Sequence, residues 1–340
     1  MWWALENHDR PLVCVNAYKP DSEPAYNLTP PSTLAQKWLD FDYVVKHARN
    51  NINYTYFAGE ALPIFNPNLG PDIFGAILGC EIEFGSDTSW CNHPIDDIRD
   101  FKPAFDKDNI WWQRIKKLTE MAVEEAQGDF LIGMTDLHPG MDALVSLRGP
   151  ENLCFDLFDY PEHVKALPVS LFDVFKEVYM RLESIISKNQ QGITNWMNWW
   201  HPGRAYVTSC DFNVMLSKEN FDDYVKPELI LETEWLDANI YHLDGPGALH
   251  LLDSLLDIKA VTGIQWVPGA GAAPASEWGE VYNKCQEAGK MLHIYASPNE
   301  LEALSKIVKP EGVCINVGWA SSVKEADEII ELADSLWKQY

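Results

Sequence analysis

A chain in which short apolar runs alternate with helical periodicity, in which the alternation recurs about every 25 residues, and which lacks a glycine-rich phosphate turn is expected to be an α/β protein. The form predicted is a closed (β/α)8 TIM barrel with an N-terminal extension and long lid-like loops, in one domain over residues 1–340 with 1–50 covering the barrel. No G-x-G-x-x-G or G-x-x-x-x-G-K-[ST] stretch occurs, as an open doubly wound sheet for nucleotides would require.

Taken in order, PLVCVNAY (12–19) reads as an extra strand outside the barrel, and YTYFAG (54–59) and GCEIEF (79–84) as its first two strands. Residues 85–129 and 185–203, rich in Trp and Pro, read as long excursions that cover or line a site. Six further runs complete the strand pattern: FLIGMTD (130–136), RAYVTSCD (204–211), ANIYHLD (238–244), VTGIQWVPG (261–269), KMLHIYAS (290–297) and GVCINVG (312–318). Between them GALHLLDSLLDI places Leu251, Leu252, Leu255 and Leu256 on one stripe, SEWGEVYNKCQEAGK ends at Gly289, and SPNELEALSKIV opens with a capping Ser and Pro298 in the first turn. SSVKEADEIIELADSLWKQY is the last helix.

The charge balance is 26 basic against 51 acidic residues, a net −25, with no dense Lys/Arg stripe. Such a field repels nucleic acid and anionic membranes. The seven cysteines contain no CxxC, and MWWALENHDRPL carries no signal-peptide pattern, so reduced thiols and a cytoplasmic protein are expected. A homodimer is left open.

In a barrel the reactive groups gather where the strands end. Here strand after strand ends in such a group: Asp136 with His138, Cys210 with Asp211, His242 with Asp244, then Gln265, His293 with Tyr295, and Cys314. Each has a structural reading by itself: a strand Cys is usually a small buried hydrophobe, a strand His satisfies a carbonyl, and a terminal Asp caps the next helix. Their convergence on one rim argues for an enzyme. His242 and Asp244, two apart on one strand, point to one face, and the Gly-Pro-Gly that follows turns the backbone away. His242 and Cys314, with a carboxylate as third ligand, are donors that Zn2+ favours.

At YHLDGPGALHLLDSLLDI…GIQWVPGAG the chain resembles the uroporphyrinogen decarboxylase superfamily, which includes the methylcobamide:coenzyme M methyltransferases and the corrinoid methyltransferases. GDFLIGMTDLHPGMDALVSLRGPENLCFDLFDYPEHVKAL and SCDFNVMLSKENFDDYVKPEL are similar to further segments of that family, and the resemblance covers most of residues 50–340. It implies the same barrel. The methyltransferase branch holds zinc on a His-x-Cys turn and a later Cys, which implies His242, Asp244 (in place of the first Cys) and Cys314 as metal ligands. Glu60, in FAGEAL, is a distant stand-in for the Asp of the decarboxylase branch. That branch meets a polycarboxylate with an Arg-rich N-terminus, whereas residues 1–24 hold only Arg10 and Lys19 as cations.

The implied function is zinc-dependent methyl transfer between a small methylated substrate, or a thiol, and a corrinoid on a partner protein. Asp211, Asp244 and His293 are the candidate catalytic residues, with either Asp as general acid. Asp136, His138, Trp90, Gln265, Trp266 and Tyr295 are the candidate substrate-binding residues, the Trp-rich loops supplying an apolar or cation-π wall. A decarboxylase or lyase of a small acid, or a ligand-binding barrel without turnover, are the alternatives.

Overall fold

The structure, a computed structural model, describes residues 1–337. Its principal elements are, in chain order, β1 (Leu12–Tyr18), α1 (Phe41–Tyr54), β2 (Thr55–Gly59), α2 (Ile110–Ala126), α3 (Gly140–Arg148), α4 (Pro150–Asp159), α5 (Pro161–Ile186), β3 (Ala205–Ser209), α6 (Lys226–Trp235), β4 (Ala238–Asp244), β5 (Gly263–Val267), β6 (Met291–Tyr295), β7 (Val313–Trp319) and α7 (Val323–Leu336). The protein is mixed α/β. By its backbone contacts it divides into two compact units, one of Met1–Pro24, Asn50–Pro63 and Ala238–Tyr340, the other of Ala25–Arg49 and Ile64–Asp237.

In the first unit six strands run in the order β2-β1-β7-β6-β5-β4. Strands β4 to β7 and β1 pair in parallel, while β2 is antiparallel to β1. The strands are short runs of β-branched and apolar residues because both faces are covered. In β1 Val13 and Val15 are fully buried, each contributing about 1.5–3 kcal/mol by leaving water. Helix α7 lies against β1 and β2. Ser322 starts it by accepting the Glu325 N–H, and Ala326, Ile329 and Ala333 form its buried stripe.

In the second unit an aromatic cluster ties β3 to α5 and α6. The Tyr206 ring stands 5.2 Å from Phe175 and 6.0 Å from Tyr179, and Tyr179 stands 5.2 Å from Trp235, all edge-on. The Tyr179 hydroxyl donates to the Ala205 carbonyl at 2.8 Å, so the cluster sets the height of β3 as well as its packing.

Several expectations are corrected. The run at 12–19 is not outside the sheet: it is β1, an interior strand between β2 and β7, because its apolar residues can be buried on both faces. The sheet is also not closed. The run at 54–59 forms β2, which returns antiparallel directly from α1. The run at 79–84 contributes only Ile82–Phe84, one limb of a hairpin with Ser89–Cys91. There the Gly85 N–H bonds the Thr88 carbonyl at 2.8 Å and closes a tight turn where a barrel strand would need a helical crossover. Of FLIGMTD, only Leu131–Ile132 pairs as a strand, with Ile64–Phe65.

The helix expected at GALHLLDSLLDI begins as a 3-10 turn, Pro246–Leu251, and becomes α-helical over Leu252–Leu256. The cap expected at Ser297 is present as a capping box with Glu300.

Candidate functional site

Two groups of polar side chains stand out, one in each unit. In the second unit, the turn that leads from Leu131–Ile132 into α3 carries Asp136 and His138. His138 has φ of 44°, in the left-handed region that non-glycine residues rarely occupy. The turn is held by the Leu137 N–H, which donates to the Tyr206 hydroxyl at 2.6 Å. The aromatic core thereby fixes the backbone of the site.

The His138 ring is gripped from both sides. Its Nε2 lies 2.8 Å from Asp136 Oδ2, and its Nδ1 lies 3.3 Å from both Asp142 Oδ2 and Ser209 Oγ. Burial works against charge on the imidazole, but Asp136 and Asp142 outweigh it, and its pKa is raised well above the ordinary value. Asp142, buried in the first turn of α3, accepts the backbone N–H groups of Asp211 at 2.8 Å and Phe212 at 3.0 Å. One carboxylate thus binds together α3, the His138 turn and the segment that follows β3.

A cavity of about 300 Å3 opens on this group. Asp72, His138, Asp142, Ser146 and Asp211 supply its polar side, and Pro71, Val145, Pro150, Phe212 and Met215 its apolar side. Three carboxylates and one imidazole line it, with no Lys or Arg. Beneath lie Glu228 and Glu232, one turn apart on α6 and 4% and 2% exposed. Burial and then the Asp142 charge push the Glu228 carboxyl up to about 8. Burial and Glu228 push Glu232 well above the usual carboxylate range. Burial, followed by the Asp142 and Asp211 charges, also raises the Cys210 thiol, so it is held protonated.

In the first unit the parallel register makes a lateral row. His242 is the partner of Gln265, Gln265 of His293, and His293 of Cys314, so the four share one face of the sheet. Their hydrogen bonds have a direction. The Gln265 amide oxygen can only accept, so His242 donates to it through Nδ1–H at 2.5 Å. The amide nitrogen donates in turn to His293 Nδ1 at 2.9 Å. This sets His242 with Nε2 as its basic nitrogen, and His293 with its proton on Nε2. Tyr295 stands edge-on to His293, its ring centroid 5.2 Å away, and burial raises its hydroxyl.

The remaining expected residues are dispersed. Asp244 is exposed at the end of β4, whereas Cys314 is buried. A hydrogen bond with Cys14, and then burial, raise the Cys314 thiol far above its ordinary value. Trp266 alternates with Gln265 along β5 and so faces the other side of the sheet; it is buried there against Trp278. Trp90 is 58% exposed on the hairpin, its ring near Gly85. The Glu60 carboxylate is taken up by a two-point pairing with Arg10 at 2.8 and 3.0 Å and by the Val13 N–H.

Sequence reasoning missed Asp142, Ser209, Asp72 and Cys14. Asp142 had a readable signal: it follows His138 by four residues across a Pro-Gly helix start, a spacing that stacks side chains.

No family model matches the chain, and no curated protein matches it. Among solved structures it is similar to a methyltransferase from Methanosarcina mazei, with a TM-score of 0.58 over 93% of this chain and 94% of that one, at 12% identity. At that identity the likeness is one of fold.

Proposed function

We propose that the chain is a methyltransferase of the uroporphyrinogen decarboxylase-like kind, moving a methyl group between a small methylated substrate, or a thiol, and a corrinoid. The observation that carries the reading is the likeness of fold to a methyltransferase along nearly the whole of both chains. The resemblance at YHLDGPGALHLLDSLLDI points the same way. The parallel, sequential order of β4 to β7 supports the α/β part of this reading.

A corrinoid presented by a partner protein would supply or take up the methyl group. The protein's own residues manage the proton. His242 is half-buried and its Nδ1–H is held by Gln265, so Nε2 is directed to act as base. When a thiol is the acceptor its S–H bond breaks, the proton passes to His242 Nε2, and the sulfur forms the bond to the methyl carbon. The methyl group leaves its carrier without the bonding electron pair. In the opposite direction the imidazolium returns the proton to the leaving group.

Zinc on His242, Asp244 and Cys314 does not fit the side chains as they stand. Two strands lie between β4 and β7, a lateral backbone span of roughly 14 Å. Among the described residues the three donors do not gather within reach of one ion. The base chemistry of His242 is available without that ion.

The test is transfer from methylcobalamin to a series of small thiols, in wild type and His242→Ala, with a chelator present. The expected loss in the variant is about 10²–10⁴-fold. Equal rates in both proteins would remove His242 as base. Carbon dioxide release from small acids, without any methyl transfer, would replace the reading with a decarboxylase.

A further inference from the structure

We propose that His138, Asp142 and Asp211 form a divalent-metal site in the second unit, independent of the methyl-transfer reading. One imidazole nitrogen and two carboxylate oxygens from these residues lie within 4.8 Å of one another. A four-coordinate ion with bonds of about 2.0–2.2 Å holds its donors about 3.4 Å apart. His138 Nδ1 and Asp142 Oδ2 already stand at 3.3 Å.

Three features distinguish the group from a histidine that merely braces a turn. The first is orientation. Asp136 holds the far ring nitrogen at 2.8 Å and so turns Nδ1 toward Asp142, the carboxylate–histidine–metal arrangement in which an outer carboxylate fixes the ring. Asp136 is here a positioning residue. The second is anchoring: Asp142 is locked by two backbone N–H groups, so its carboxylate is in place before an ion arrives. The third is charge. Asp72, Asp142 and Asp211 outnumber the single imidazole around a cavity whose lining holds no Lys or Arg, and a divalent ion that replaces the Nδ1 proton offsets the excess negative charge.

The cavity leaves room for water or a substrate oxygen on the ion, and Ser209 Oγ, 3.3 Å from Nδ1, is a further oxygen at hand. The mixed nitrogen and oxygen donors suit a borderline ion such as Zn2+ better than Ca2+, which takes six to eight oxygens.

The test uses the full chain stripped with chelator, titrated with Zn2+ by calorimetry and with Co2+ by visible absorbance. One equivalent is expected to bind. Asp211→Asn, at an exposed position, is expected to weaken binding at least tenfold while the metal-free circular dichroism stays that of wild type. Asp136→Asn is expected to weaken binding about 10–100-fold through the orientation of His138. His242→Ala and Cys314→Ala are expected to bind the ion as wild type does. Absence of stoichiometric binding, wild-type affinity in Asp211→Asn, or loss of the ion in His242→Ala would each overturn the proposal.

Discussion

Gln265 binds two imidazoles with one amide, and a single residue thereby sets the protonation pattern of the row. Gln265→Leu keeps the volume but leaves the facing nitrogens of His242 and His293 without their partner at a wholly buried position. The expected cost is about 1–3 kcal/mol of stability by urea denaturation, with a fall in kcat that exceeds any change in KM. A stable variant with unchanged kcat would show that the amide does not orient the base. Gly140 has the corresponding role in the other group. Its φ is 67°, and a Cβ added there would meet Glu228 Oε2 at 2.8 Å. Gly140→Ala is expected to cost about 1–3 kcal/mol and to displace the turn between His138 and Asp142. The side-by-side placing of His242, Gln265, His293 and Cys314 follows from the parallel register of the apolar runs that carry them. Asp142 carried only its four-residue spacing from His138 as a signal and was passed over, since it sits in the first turn of a helix, where an acidic residue usually serves the helix dipole.

Helix α6 carries a pH dependence. Glu232 has a folded pKa raised by burial and by Glu228, so the stability it contributes is fully present below its unfolded value and is lost as pH rises toward the raised one. Glu232→Gln stays neutral throughout. Its Tm is expected to decline less than that of wild type between about pH 5 and pH 9, by thermal scans in buffered chelator. Parallel declines would show that the carboxyl ionises without penalty. At this scale the sequence yielded β4 to β7 well, since each is a compact apolar run before a helix. It misplaced β1, because an apolar run near a chain end looks the same whether it is interior or peripheral. It missed the hairpin at 82–91, because Glu81 and Glu83 alternate with Ile82 and Phe84 in a two-residue period that fits either kind of strand.

Over the whole molecule, a net charge of −25 means self-repulsion. Raising salt from about 10 mM to about 0.5 M shortens the screening length from roughly 30 Å to a few ångströms and is expected to raise the Tm in the absence of divalent ions. A Tm that falls with salt would show that attractive pairs, such as Arg49 with Glu125 and Asp129, outweigh the excess charge. No helix among the described residues is long and apolar enough to cross a membrane. Methyl transfer by this acidic α/β chain is the proposal on which its chemistry rests. Its most direct test is mass spectrometry of the thiol products after incubation with deuteromethyl-cobalamin. Label is expected on the thiol sulfur in wild type, and reduced about a hundredfold or more in His242→Ala. Unlabelled thiols in wild type at every thiol tried would contradict it.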